Sequence, residues 1–398
     1  MDSSDVRVLI VDDSALMRNL ISKIIEQTPG LVIAGKAMNG EFALEHIPGC
    51  RPDVIVLDIE MPVMNGLEFL MEKKRRGIDI PVIMLSSLTT EGAAVTMQCL
   101  ELGASDFLTK PGGSGLSDLS STANHLAELL ISYGGTYAKS KGRKITPPKR
   151  VNGFLASALR KNDEERGAPA VSHESRPAAP AAYSSIFSTV RQTKQPVVVK
   201  PLREPGRIEI IAIGISTGGP NALREVFSKI DPGLKQPILV VQHMPAGFTE
   251  EFANSLNGIC PLEVKEAKDG DLIKGGRILI APGNYHIYVE RKSLAMVVRL
   301  SDAPQRNGHR PSADVLFESV AEQYQNRALG VIMTGMGNDG AVQLAEMRRQ
   351  GAHTLGQDEQ SCIVYGMPKV AFELGAVQKQ VSLQDMAHEI SKLANQYQ

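Results

Sequence analysis

Ile208-Glu209-Ile210-Ile211-Ala212-Ile213-Gly214-Ile215-Ser216-Thr217-Gly218-Gly219 passes from an apolar run into a turn of small residues, and two later stretches repeat that order. Ile238-Leu239-Val240-Val241 leads into Gln242-His243-Met244-Pro245. Leu329-Gly330-Val331-Ile332-Met333 leads, through Thr334, into Gly335-Met336-Gly337-Asn338-Asp339-Gly340. Short apolar runs bounded by glycine or proline read as buried parallel strands. In open α/β sheets, functional residues gather outside the carboxyl ends of the strands. The pattern therefore sets a serine, a histidine and an aspartate along one edge of one sheet. Those are the groups required for an activated serine nucleophile, its base and the group that orients the base.

Working outward, strand and helix patterns fill the chain from Arg207 onward, with further strands expected at 276–281, 287–289 and 294–300. Helices are expected at 220–229, 313–324 and 340–350. A second alternating region spans 5–132, with strands at 8–11, 31–37, 54–57, 82–85 and 107–108. Ala15, Leu16, Leu20, Ile24 and Ile25 follow its first strand at helical spacing, and Ser14 stands where an N-cap belongs. Both regions predict doubly wound parallel sheets. Residues 133–206 differ in texture. Lys139, Lys141, Arg143, Lys144, Lys149 and Arg150 surround Pro147-Pro148, and 168–182 is rich in Pro, Ala and Ser. Such a segment buries too little apolar area to offset ordering entropy, so it reads as a long flexible linker, with a transient helix at 151–159 and solvated basic residues.

At 398 residues the chain exceeds one ordinary core, and its formal net charge of −1 gives no electrostatic reason to expect nucleic acid or a membrane surface as partner. Cys50, Cys99, Cys260 and Cys362 are scattered, without a CxxC pair, as in a reducing compartment. No N-terminal signal pattern appears, and no apolar stretch approaches the ~18 residues that span a bilayer. A cytoplasmic protein without membrane insertion is expected.

In the N-terminal region, Asp12 and Asp13 end the first strand, Asp58 the third and Ser86 the fourth, and Lys110-Pro111 follows the fifth. Three carboxylates on one sheet edge repel one another unless a cation joins them, and hard oxygen ligands suit Mg²⁺. One carboxylate can then attack phosphorus while Mg²⁺, Lys110 and the Ser86 hydroxyl neutralise the phosphoryl oxygens. Val11-Asp12-Asp13-Ser14, Leu57-Asp58-Ile59-Glu60-Met61-Pro62, Met64-Asn65-Gly66 and Leu108-Thr109-Lys110-Pro111 stand as they do in the response-regulator receiver family, which this half resembles. The resemblance implies Asp58 as phosphoacceptor, a Mg²⁺ site at Asp12, Asp13, Asp58 and Glu60, and a switch formed by Ser86 and Phe107 with Lys110. It also implies a histidine kinase as phosphodonor.

In the C-terminal region, Gly-x-Ser-x-Gly at 214–218 alone reads equally as a nucleophile turn or a phosphate cradle. No Lys follows as in a P-loop, and no acidic residue lies about 20 positions on as in a dinucleotide site. His243 on the same edge favours the nucleophile; His286 and His309, each beside a turn, are rival bases. The order Ser…His…Asp is not that of the α/β-hydrolase superfold. Gly214-Ile215-Ser216-Thr217-Gly218-Gly219-Pro220, Gln242-His243-Met244-Pro245, Ala281-Pro282-Gly283, His309-Arg310-Pro311-Ser312 and residues 333–340 resemble the chemotaxis protein-glutamate methylesterase domain. Ile215, where alanine is common, and a longer linker are the departures.

Receiver followed by methylesterase domain, here 5–132 and 207–398, is that family's architecture. The resemblance implies phosphorylation-controlled hydrolysis of glutamyl methyl esters on chemoreceptors, with glutamine deamidation as a second activity. Ser216 is then nucleophile, His243 base and Asp339 its orienter, with backbone N–H groups near Thr217 and Met336 holding the oxyanion. The esterase reaction needs no cofactor. Two other readings differ in class. One is a ligand- or nucleotide-sensing module; the other is a transcriptional regulator, for which the C-terminal half lacks a helix-turn-helix pattern and a basic surplus.

Overall fold

The computed structural model describes residues 4–110, 116–145 and 198–397. The chain divides into two compact units, Met1–Ala182 and Tyr183–Gln398. The expected transient helix, Lys149, Arg150 and the Pro/Ala/Ser-rich stretch lie outside the described residues.

In the first unit, β1 (Val6–Val11), α1 (Ala15–Gln27), β2 (Leu31–Ala37), α2 (Gly40–Cys50), β3 (Val54–Asp58), α3 (Gly66–Arg75), β4 (Val82–Ser86), α4 (Thr90–Glu101), β5 (Asp106–Thr109) and α5 (Leu116–Ser140) alternate without exception. The strands form one parallel sheet in the order β2-β1-β3-β4-β5. Apart from Arg7 and Asp58, β1 and β3 are apolar, and both are almost wholly buried, as strands covered on both faces must be. The strand order switches at β1, which is flanked by β2 on one side and β3 on the other, so Asp12, Asp13 and Asp58 meet at the crevice where an open sheet binds ligands. Ser14 caps α1, its hydroxyl accepting from Met17 N at 3.3 Å.

The closing helix runs past the expected boundary at 132. Tyr133 and Ala138 are buried, and Tyr133 Oη donates to Ser105 O at 2.8 Å. Gly134, a poor helix former, is used for close approach: a Cβ there would stand 2.3 Å from Val6 Cγ1. Two of the basic residues expected to be solvated are paired with the first unit, Lys141 at its surface and Arg143 against the buried Asp53. Lys141 Nζ meets Asp79 Oδ2 at 2.6 Å, and Arg143 pairs with Asp53 and donates to Asp5 O.

The second unit begins before 207, because Leu202 N donates to Arg349 O (2.7 Å) and Gly206 N to Asn326 O (3.0 Å). Its elements are β6 (Ile210–Ile215), α6 (Gly219–Phe227), β7 (Ile238–Gln242), α7 (Phe248–Asn257), β8 (Glu263–Glu266), β9 (Arg277–Ile280), β10 (His286–Arg291), β11 (Met296–Ser301), α8 (Ala313–Tyr324), β12 (Ala328–Ile332), α9 (Ala341–Gln350), β13 (His353–Gln357), α10 (Met367–Glu373), β14 (Lys379–Val381) and α11 (Leu383–Gln396). Seven strands make a parallel sheet in the order β14-β13-β12-β6-β7-β9-β8. One helical set packs α6 against α7 and α11; the other packs α9 against α8 and α10. A core including Ile210, Leu239, Leu316, Phe317 and Leu344 lies between the sheet and the second set.

The expected strands at 287–289 and 294–300 do not enter this sheet. β10 and β11 form a separate antiparallel ribbon, because a short loop joins them and parallel neighbours need a long crossover. Leu294, expected in a strand, sits at the loop tip and is 97% exposed.

Tyr133→Ala distinguishes a helix that belongs to the first unit from a tether. Removing a buried aromatic should destabilise that unit by about 3–5 kcal/mol, read as faster hydrogen exchange in β4 and β5. Unchanged exchange would mean that residues beyond 132 contribute nothing to the core.

Candidate active site and acidic cleft

β6 and β7 pair in register, Ile215 opposite Gln242, so the residues that follow them, Ser216 and His243, emerge side by side. Ser216 N donates to Thr334 O (2.9 Å) and Gln242 Nε2 to Ser216 O (3.0 Å), fixing the turn against both neighbouring strands. Ser216 Oγ lies 3.1 Å from His243 Nδ1, and His243 Nε2 lies 2.9 Å from Asp339 Oδ2. The three expected residues therefore form one hydrogen-bonded chain.

Asp339 is 1% exposed and accepts five hydrogen bonds. Its Oδ2 takes His243 Nε2 and Ala313 N (2.6 Å), while Oδ1 takes Ser312 Oγ (2.6 Å), Asn307 Nδ2 (2.9 Å) and Asp314 N (3.4 Å). Ser312 is the N-cap of α8 but makes no side-chain cap bond; Asp339 takes the first-turn amides in its place, at the positive end of the helix. Burial pushes the Asp339 carboxyl up, yet the His243 bond and charge and the donors from Ser312 and Asn307 outweigh it, holding the group well below the usual range. Neighbouring Asp314 goes the other way, raised by burial and by the charge of Asp339, with the Asn307 amide opposing.

Of the rival bases, His309 reaches the site but stacks face to face on His243, ring centroids 3.8 Å apart at 11°. His286 turns its Nε2 to Pro304 O at 3.1 Å. Among the described residues, neither the Thr217 nor the Met336 amide donates to a protein acceptor. Sequence reasoning missed Asn307, Ser312 and Asp314. The serine before an apolar helical run was a visible cap signal, but nothing local to it points at residue 339.

In the first unit, carboxylate oxygens of Asp12, Asp13 and Asp58 lie within 4.8 Å of one another. Lys110 Nζ is 2.6 Å from Asp58 Oδ1 and 3.7 Å from Asp12 Oδ2. Asp12 Oδ2 and Asp58 Oδ2 are buried without a hydrogen-bond partner, as acceptors awaiting a cation would be. This hard-oxygen set fits Mg²⁺. Glu60 lines the same cleft of about 670 Å³ with Asn65 and Ser87, but its carboxylate is outside the group of three. Burial, with the Asp12 charge adding and Lys110 opposing, pushes the Asp58 carboxyl up to about 6.

Ser86 ends β4 as expected, yet its hydroxyl is turned into α4, accepting from Thr96 Oγ1 (2.7 Å) and lying 3.3 Å from Gly92 O. Phe107 is buried in β5. No helix among the described residues is long and apolar enough to cross a membrane.

Because the Asp58 carboxyl is raised in the fold, its protonated form favours the native state, and stability is lost as pH rises through about 6. Asp58→Asn should therefore be more stable than the parent at pH 7.5 without Mg²⁺, by about 1–3 kcal/mol. The difference should vanish near pH 4. Hydrogen exchange of β1 and β3 at the two pH values measures it; equal protection at both would refute the raised carboxyl.

Residues 211–390 match the family described as CheB methylesterase, and residues 8–119 match the response regulator receiver domain. A protein-glutamate methylesterase/protein-glutamine glutaminase of Treponema pallidum is 54% identical over 398 residues, covering 98% of this chain and 98% of its own. That of Treponema denticola is 54% identical over 393 residues, with 99% of each chain covered. One from Halalkalibacterium halodurans is 40% identical over 389 residues, covering 97% of this chain and 98% of its own. With both halves matched and the relatives aligned almost end to end, the chain belongs to the CheB methylesterase family, in which a response-regulator receiver domain precedes the methylesterase domain.

Proposed function

We propose that this chain hydrolyses γ-glutamyl methyl esters on the cytoplasmic helices of chemoreceptors, releasing methanol and restoring glutamate, under control of its receiver. The carrying observation is the path from Ser216 Oγ to His243 Nδ1 (3.1 Å) and from His243 Nε2 to Asp339 Oδ2 (2.9 Å), inside the segment that matches CheB methylesterase. Residues 207–398, with 202–206 bonded to them, serve as the catalytic domain, and 5–132, with the helix continuing to Ser140 and Lys141 and Arg143 paired beyond it, as the receiver; the stretch between is the tether.

An ionised Asp339 only accepts hydrogen bonds, so the proton between it and His243 belongs to Nε2. The Nδ1 lone pair then faces the Ser216 hydroxyl. Ser216 Oγ attacks the ester carbonyl as its proton moves to Nδ1, and the imidazolium is held by the Asp339 charge. The Thr217 and Met336 amides are the donors we assign to the oxyanion, a role worth about 3–4 kcal/mol per donor. Nδ1–H then returns the proton to the departing methoxide. Water attacks the acyl-enzyme with the same base, freeing the glutamate carboxylate and Ser216. A receptor glutamine would follow the same course with ammonia leaving, as a secondary activity.

In the receiver, Asp58 takes the phosphoryl group from a histidine kinase. Asp12, Asp13 and Asp58 would hold Mg²⁺, with Glu60 at the rim, and the bound cation would neutralise phosphoryl oxygens. Lys110 lies close enough to share that task. For Ser86 to join, its hydroxyl must leave Thr96 and Gly92, and that movement with Phe107 is the switch through which phosphorylation acts on the methylesterase domain. Neither nucleic acid nor an inserted membrane segment is required, and the reaction is assigned to the cytoplasm.

Methanol release from methylated receptor membranes tests this reading. Ser216→Ala should lose roughly 10⁴–10⁶-fold in rate, while a small-molecule phosphodonor with Mg²⁺ should stimulate the parent but not Asp58→Asn. Robust release by Ser216→Ala would remove the assigned nucleophile.

A further inference from the structure

Residues 306–309 form a tight hairpin turn. Arg306 N donates to His309 O at 3.1 Å and His309 N to Arg306 O at 3.0 Å, with φ of 55° at Asn307 and 81° at Gly308. Positive φ at both central positions is type I′ geometry, for which Asn-Gly is a favoured pair. Turn preference alone would explain asparagine at 307.

The side chain does more than the turn asks of it. Asn307 Nδ2 lies 2.9 Å from Asp339 Oδ1 and 2.7 Å from Asp314 Oδ2. Both neighbours are carboxylate oxygens, so the amide nitrogen rather than its oxygen faces them, with one hydrogen for each acid. An aspartate χ2 has a broad torsional well. The plane of the Asp339 carboxylate is therefore set by its donors. Ser312 Oγ and the first amides of α8 hold it from the helix, and Asn307 holds it from an exposed turn. The same turn lays the His309 ring on His243, so one short segment bounds the imidazole through its carboxylate and on its face. Around Asp314 stand Arg306, with Nε 3.8 Å away, and Glu318, which pairs with Arg306.

We propose that Asn307 is a positioning residue for the hydrolase reaction: its amide, locked by the Asn-Gly turn, fixes the Asp339 carboxylate in the rotation that presents Oδ2 to His243 and holds it apart from Asp314. The proposal rests on the Ser216–His243–Asp339 reading of the site. It separates two carboxylates that share a buried corner, leaving one dedicated to the histidine.

The test compares Asn307→Gly, Asn307→Asp and Ser216→Ala in the full chain, with methylated receptor membranes, phosphodonor and Mg²⁺. Glycine keeps the positive-φ turn and deletes the amide; aspartate keeps side-chain length but sets a third carboxylate against two. For Asn307→Gly we expect kcat to fall roughly ten- to a hundredfold, the loss of one charge-assisted donor, with KM within about twofold and an unchanged melting temperature. Asn307→Asp should fall at least as far. In ¹⁵N-histidine spectra we expect a sharp, downfield His243 Nε2–H resonance in the parent that broadens or shifts in Asn307→Gly. Parental kcat in Asn307→Gly would overturn the proposal, as would a lost kcat accompanied by a lowered melting temperature and an unaltered His243 resonance. Inactive Ser216→Ala beside fully active Asn307→Gly removes only the role of Asn307, whereas active Ser216→Ala removes the site reading beneath it.

Discussion

Ile211 and Ile213 stand between Ile238 and Val240 on one side and Leu329 and Val331 on the other, with all three strands running the same way. That two-sided parallel pairing is the constraint from which the catalytic half follows. It levels the carboxyl ends of β6 and β7, so Ser216 and His243 are each the first residue beyond paired positions. Side chains alternate between faces along a strand, so a slip of one residue would carry the strand's apolar set to the opposite face. In β6, whose six residues are all buried, size resists such a slip: Gly214 lies against α8, where a Cβ would stand 2.8 Å from Ala313 Cβ, so a larger residue does not fit in its place. Asp339 arrives by a different route. It lies beyond the end of β12, in a loop that folds back to the amino end of α8, where helix amides and Ser312 receive it.

Those differences explain what was legible in the sequence. Ser216 and His243 are legible because strand, strand end and candidate residue are contiguous, and the same holds for Asp12 and Asp58. The positions of β8, β13 and β14 were not read. Their segments are short or polar: Glu263–Glu266 carries two acids and a lysine, and His353–Gln357 contains histidine, threonine and glutamine. The β10–β11 ribbon was mistaken for sheet because periodicity reports a strand but not its partner. Asn307 and Asp314 were invisible for a stronger reason. Their roles exist only where a turn, the start of α8 and the loop after β12 meet, and no local pattern encodes that meeting. Ser86 was placed correctly at its strand end, but the rotamer that sends its hydroxyl to Thr96 is decided by α4 packing rather than by sequence spacing.

Asp58, at the end of β3, and Asp339, in the loop beyond β12, show how one residue type buried to a similar depth acquires opposite character. Desolvation opposes ionisation in both. Around Asp339 the opposition is overcome by five donors, with His243 positioned to become positive when it accepts a proton. The outcome is a carboxylate that stays ionised and serves only as an acceptor, which is what orienting an imidazole demands. Around Asp58 there are two further acids, one lysine and one backbone amide, and one oxygen is left without a partner. Its charge is under-compensated by the protein alone. In the receiver role proposed for Asp58, such a carboxylate would attack a phosphoryl group with a cation and Lys110 shielding the approaching oxygens; without them its buried charge is poorly tolerated. The two halves of the chain thus treat a buried aspartate in contrary ways: one saturates it so that it cannot change, and the other leaves it wanting so that it can.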